Sequence, residues 1–156
     1  MSSIRILGVD PGQTGGLAIV QNGRLVKGTR MPVVELRGKK QVDARAVVEW
    51  WGDCLMPFDV AVIEAVHAMP KQGVSSSFQF GRMLGGIESL VFSVGAPVHY
   101  VTPAVWKKAM GLNRDKQASI DAAKIRFGAG VDQLLKRKAD DGVAEAALIA
   151  AYWAEL

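Results

Sequence analysis

The sequence predicts a mixed α/β fold: a five-stranded sheet, made of a three-strand antiparallel meander and two parallel strands, flanked by helices. Two observations carry this expectation. An apolar run beginning at Ile4 ends abruptly at Asp10-Pro11-Gly12, and two further short runs follow, separated from each other by Asn22-Gly23. Asn-Gly between such runs is the strongest short hairpin signal a sequence offers, because both turn residues tolerate positive φ. The later runs, Val60-Ala61-Val62-Ile63 and Pro97 to Val101, alternate with helical patterns, and a strand reached through a helical crossover lies parallel to its neighbour.

Ile4, Ile6, Leu7 and Val9 read as a buried strand that Pro11 and Gly12 cannot continue, since proline lacks the N–H and glycine frees the turn. Asp10 therefore stands at the mouth of a sheet. Taken alone, it either initiates the turn, as Asp often does before Pro, or presents a carboxylate for chemistry. Leu17 to Val20 and Leu25-Val26 complete the meander, Met31-Pro32 ends it, and Arg37-Gly38-Lys39-Lys40 reads as a basic exposed loop. Asp43 is placed to cap a helix over 43–55, with Ala46, Val47, Trp50 and Trp51 as its apolar stripe. The strand that follows also ends in an acid, Glu64. After a loop over 65–75, a long helix over 77–94 carries Phe80, Leu84, Ile87 and Val91 at helical spacing, with Gly81, Gly85 and Gly86 leaving one face open. Glycine costs roughly 1 kcal/mol per helix-interior position, so something is expected to press against that face. Thr102-Pro103 opens the next helix, which stops near Gly111. Asp115 opens another, through Phe127, broken by Gly128-Ala129-Gly130, and an alanine-rich helix runs from Asp140 or Asp141 to the C-terminus. If the first and fourth strands lie side by side, Asp10 and Glu64 arrive at one edge.

The 156 residues are expected to form one domain, 1–156, with 49% hydrophobic and 22% charged residues, a globular rather than a disordered balance. No apolar run approaches the roughly 20 residues of a membrane helix and no signal core opens the chain, so an intracellular, cytoplasmic location without membrane association is expected. Cys54 is the only cysteine; it reads as a small core residue, and thiolate zinc cages are excluded. With only His67 and His99, a hard cation held by oxygen is the metal to expect. The net charge of +4 would double if four acids were neutralised in one site, a balance that favours a polyanionic partner.

Asp141 and Glu145 lie four apart on the last helix and so share a face, while Asp140 points elsewhere. Docked against Asp10 and Glu64, they would bring four carboxylates together, each like-charge pair costing on the order of 4 kcal/mol at about 4 Å and an effective dielectric near 20. Divalent metal relieves that repulsion. Magnesium suits the ligands, and two such ions serve phosphodiester hydrolysis.

Gly8-Val9-Asp10-Pro11-Gly12, the strand ending Val62-Ile63-Glu64, and Asp141 with Glu145 resemble the RuvC-type Holliday junction resolvases, nucleases of the RNase H-like superfamily. The segment from Glu64 to Ser75, with Phe78, Phe80 and Gly81, is most similar to the branch found in bacteriophages and the chloroplast. The resemblance spans nearly the whole chain. It implies an RNase H-like sheet, Mg2+ with Mn2+ as a substitute and two ions per site, and a homodimer that nicks opposing strands of a four-way DNA junction. It makes Asp10, Glu64, Asp141 and Glu145 metal ligands and places Lys107 and Lys116 beside the scissile phosphate. An Asp and Glu four apart, in place of the two aspartates three apart of the bacterial enzyme, leave the choice between Asp140 and Asp141 open. His67 is implied to touch bases at the crossover. Lys39, Lys40, Lys71, Arg82, Lys108 and Arg114 are candidate DNA contacts, as are Lys136, Arg137 and Lys138; such contacts supply affinity but little sequence information. The glycine face of the long helix is the candidate dimer interface. Three alternatives remain: a less selective RNase H-like nuclease, a catalytically weak branched-DNA-binding protein, and an actin-like ATPase or sugar kinase. The last needs a second lobe for which 156 residues are too few, so no nucleotide cofactor is expected.

Overall fold

In the computed structural model, residues 3–52, 56–128 and 130–156 are described. Five strands, β1 (Arg5–Asp10), β2 (Gly16–Gln21), β3 (Arg24–Arg30), β6 (Val60–Glu64) and β7 (Val98–Val101), form one sheet in the order β3-β2-β1-β6-β7. β1 to β3 are the antiparallel meander, and β6 lies parallel to both β1 and β7. Helices α1 (Ala44–Trp51) and α2 (Val74–Ser93) cover one face; α3 (Pro103–Ala109), α4 (Lys116–Phe127) and α5 (Asp141–Ala154) cover the other.

Strand parity divides the core. Leu7, Val9, Ala61 and Ile63 pack with Val47, Met83, Ile87 and Val91 under α1 and α2, whereas Ile6 and Val62 pack with Trp106, Ile120 and Ala147 on the opposite face. Successive strand side chains alternate, so the even-numbered Asp10 and Glu64 continue the rows of Ile6 and Val62 onto the α5 side. The parallel register that sets Gly8 beside Val62 keeps the two acids adjacent.

The helix α5 is buried over nearly its whole length, and its alanines let it lie almost on the backbone of β1 and β2. A Cβ on Gly8 would stand 1.8 Å from the Ala146 carbonyl oxygen, and one on Gly142 would stand 2.4 Å from the Gly15 carbonyl carbon. These contacts are backbone to backbone, so no side chain can relieve them. They fix the first turns of α5 against the loop that follows Asp10.

Three local expectations change. The segment expected as a basic loop is a hairpin, β4 (Val33–Leu36) and β5 (Lys39–Val42), turning at Arg37 (φ 53°) and Gly38 (φ 71°). Positive φ at both central residues is the two-residue turn whose twist matches its strands; arginine in the first position hid it. Helix α1 stops at Trp51, where Gly52 at φ 84° ends it, and the remainder of the predicted helix, with Cys54, lies outside the described residues, as does Ala129 of the predicted glycine break. Helix α2 begins at Val74, and its buried row is Met83, Ile87 and Val91; Phe80 and Leu84 are only half-buried. Of its glycines, a Cβ on Gly86 would stand 3.4 Å from the Val42 side chain of β5, whereas one on Gly81 or Gly85 would meet nothing within 4 Å among the described residues.

Candidate active site

Asp10 ends β1, Glu64 ends β6, and Glu145 stands one turn into α5; ligand oxygens of these three lie within 4.8 Å of one another. Asp141, one turn earlier on α5, falls outside that trio, and its Oδ2 meets Lys116 Nζ at 3.3 Å. Three of the four predicted acids therefore meet at ligand distance. The fourth flanks them, close enough for its charge to act on Asp10. Asp140 is engaged elsewhere: Arg30 Nε donates to Oδ1 at 2.7 Å, and the Arg137 backbone N–H donates to Oδ2 at 2.8 Å. Asp141 is thus the aspartate on the side of the cluster.

The electrostatics follow from the placement. Burial first, then the charges of Glu64, Glu145 and Asp141, push the Asp10 carboxyl well above its usual range, against a weaker pull from Lys107. Burial likewise raises Glu64, aided by Glu145, while the Trp106 hydrogen bond and Lys107 oppose it. Burial also acts to raise Asp140, but the Arg137 N–H and the Arg30 guanidinium outweigh it and hold that carboxyl below its ordinary value. Carboxylates brought this close together in a partly buried site repel one another and call for a compensating charge. An all-oxygen donor set in a partly dry site fits a hard divalent cation.

Positive charge is already at hand. Lys107 Nζ reaches Glu145 Oε1 at 2.9 Å and sits 5.3 Å from the Trp106 ring centroid. Beside Glu64 opens a groove of about 930 Å³ lined by His67, Lys107, Lys108 and Arg114. Lys39 lines a second groove, of about 360 Å³, with Gln13 and Ser75; the carbonyl of its neighbour Lys40 accepts from Gln79 Nε2 of α2. Lys71 is exposed in the loop after Glu64 with φ 65°, and Arg82 lies over the Phe78 ring at 5.8 Å on the outer side of α2. Lys136 and Arg137 line a third groove with Arg30 and Asp140, with Lys138 exposed next to it.

Three site residues carry little sequence signal. The Trp106 indole N–H donates to Glu64 Oε1 at 2.8 Å, the Ser119 hydroxyl donates to Glu145 Oε1 at 2.9 Å, and Arg30 ties the end of β3 to Asp140.

With this geometry in place, comparison with known proteins gives three findings and one blank. No protein-family model matches the chain. The crossover junction endodeoxyribonuclease RuvC of Corynebacterium efficiens is 34% identical over 119 residues, covering 70% of this chain and 52% of that protein, so the chain spans about half the length of the curated relative it matches. The structure of T. thermophilus RuvC in complex with Holliday junction substrate superposes with a TM-score of 0.64 at 20% identity, covering 97% of this chain and 96% of the other. A further Thermus thermophilus RuvC structure gives 0.61 at 19% identity with the same coverage. The fold is that of RuvC, and the RuvC-type resemblance drawn from the sequence is the one these comparisons return, through bacterial proteins rather than the bacteriophage and chloroplast branch.

Proposed function

We propose that this chain is a metal-dependent endonuclease that resolves four-way (Holliday) DNA junctions by hydrolysing phosphodiesters on opposing strands. The observation that carries the reading is the meeting of Asp10, Glu64 and Glu145 within 4.8 Å at one sheet edge, on a fold shared with a RuvC bound to a Holliday junction. Asp10, Glu64 and Glu145 would hold the cation, with Asp141 beside them. Mg2+, or Mn2+ in its place, with two ions per site, would supply Lewis-acid stabilisation and a water nucleophile at neutral pH.

The chain's own residues do the rest. Lys107, 20% exposed and held at Glu145, places an ammonium where charge develops on the phosphate, and a fixed charge in a partly desolvated site acts more strongly than in water; Lys116, 58% exposed at the start of α4, adds a second, more solvated positive charge beside Asp141. His67, at the groove beside Glu64, faces bases at the crossover. Lys39, Lys40, Lys71, Arg82, Lys108 and Arg114 contact the backbone of the arms, giving affinity that falls steeply with salt. Two cuts related by symmetry call for two copies of the site, which a C2 homodimer supplies.

A synthetic four-way junction and a matching linear duplex, incubated with Mg2+ and either the protein or Asp10→Asn, test the reading. Paired symmetric nicks in the junction, abolished in the variant, are expected. Junction binding without cutting in Mg2+ or Mn2+ would reduce the protein to a branched-DNA binder, and comparable cutting of the linear duplex would make it a less selective nuclease.

A further inference from the structure

We infer that Trp106 is a positioning residue of this centre: its indole N–H fixes the Glu64 carboxylate for the cation while the face of its ring steadies the Lys107 ammonium. The inference rests on the metal-dependent reading above and adds a residue to it. Trp106 is wholly buried on α3, and its Nε1–H donates to Glu64 Oε1 at 2.8 Å across 42 residues of sequence. Lys107 Nζ stands 5.3 Å from the centroid of the same ring and 2.9 Å from Glu145 Oε1. One side chain thus touches a group on β6 and, through its neighbour on α3, a group on α5.

The chemistry of the donor matters. A buried indole needs an acceptor, but a backbone carbonyl would satisfy it as well as an ionisable carboxylate does. Engaging Glu64 removes the freedom of the carboxylate to rotate and leaves its second oxygen for a cation. The indole is neutral, so it does this without adding a positive charge that would compete with the cation, as a lysine in the same place would. The ring face contributes the complementary effect, since its negative quadrupole attracts the ammonium. Groups that orient a metal ligand in this way typically alter metal affinity or activity by 10–100-fold.

Trp106→Phe keeps a ring under Lys107 and removes the N–H. Mn2+ binding to the metal-free protein, read from the free-ion paramagnetic resonance signal, is expected to weaken roughly ten-fold or more, with junction affinity in chelator unchanged and cleavage recovering as metal is raised. Unchanged Mn2+ affinity in a folded variant overturns the inference. A second measurement needs no variant. In the unmodified protein the Trp106 indole N–H resonance should shift on Mg2+ titration while those of Trp50, Trp51 and Trp153 hold. A Trp106 resonance indifferent to Mg2+ that demonstrably binds overturns the inference and leaves the nuclease reading standing; failure of the unmodified protein to bind either ion overturns both.

Discussion

Asp10 is held by its surroundings in a state that a free carboxylate would not choose. The folded protein binds a proton there more tightly than the unfolded chain does, so the contribution of Asp10 to stability falls as pH rises from the ordinary carboxyl value through the raised one. Glu64 acts with the same sign. Metal-free protein is expected to lose thermal stability across that window, and Asp10→Asn to lose less and to melt a few degrees higher near neutral pH. Calorimetry in chelator over a pH series measures this; equal melting of variant and parent near neutral pH would contradict it. Asp140 works oppositely, its stabilisation being lost only as pH falls through its lowered value, so the two effects separate along the pH axis. Asp10 and Glu64 were legible in the sequence because each closes a short apolar strand, Asp10 against a Pro11-Gly12 that cannot continue it. Trp106, Ser119 and Arg30 were not, since their partners lie 42, 26 and 110 residues away and nothing local marks a donor that serves a distant acid.

Among the elements, α5 carries the tightest geometric demand. Its alanine content and the Asp141/Glu145 spacing were readable, but how closely it would lie on β1 and β2 was not, because small residues permit a close approach without requiring one. Gly142→Ala puts a methyl group against the Gly15 backbone and is expected to cost about 1–3 kcal/mol or more, read from urea unfolding. Gly81→Ala on α2, where the added carbon meets nothing, is the contrasting case: an interior helical glycine replaced in open space is expected to stabilise by roughly 0.5–1 kcal/mol. Equal effects at the two positions would mean that α5 is not seated as described. The β4–β5 hairpin was missed for a different reason. Its turn uses Arg37 at positive φ, a conformation that arginine seldom adopts and that composition does not announce.

For the molecule as a whole, the meander, the two parallel strands and the adjacency of β1 and β6 were anticipated, because the Asn22-Gly23 turn and the helix before β6 leave few topologies open. Association with a second copy is a surface property, for which a pattern within one chain gives only a direction. A Cβ on Gly81 or Gly85 would meet nothing within 4 Å among the described residues, and Phe78 on the same helix is 67% exposed. Gly85→Arg therefore adds bulk that the described residues of the single chain leave room for, and if this face joins two copies the variant is expected to sediment as a monomer while keeping the circular dichroism of the parent. A variant that sediments as the parent does would move the interface off α2.

The pleat that sends Asp10 and Glu64 to one side of the sheet also restricts how the chain can vary. Apolar residues within β1 can be exchanged for one another at modest cost, but the loss or gain of a single codon between Ile6 and Asp10 would turn the carboxylate to the face under α1 and α2, among Val47 and Ile87, and exchange every inward side chain of the strand with it. The centre is therefore tolerant of spelling and intolerant of length. Insertions and deletions are closed to the six residues of β1 and the five of β6.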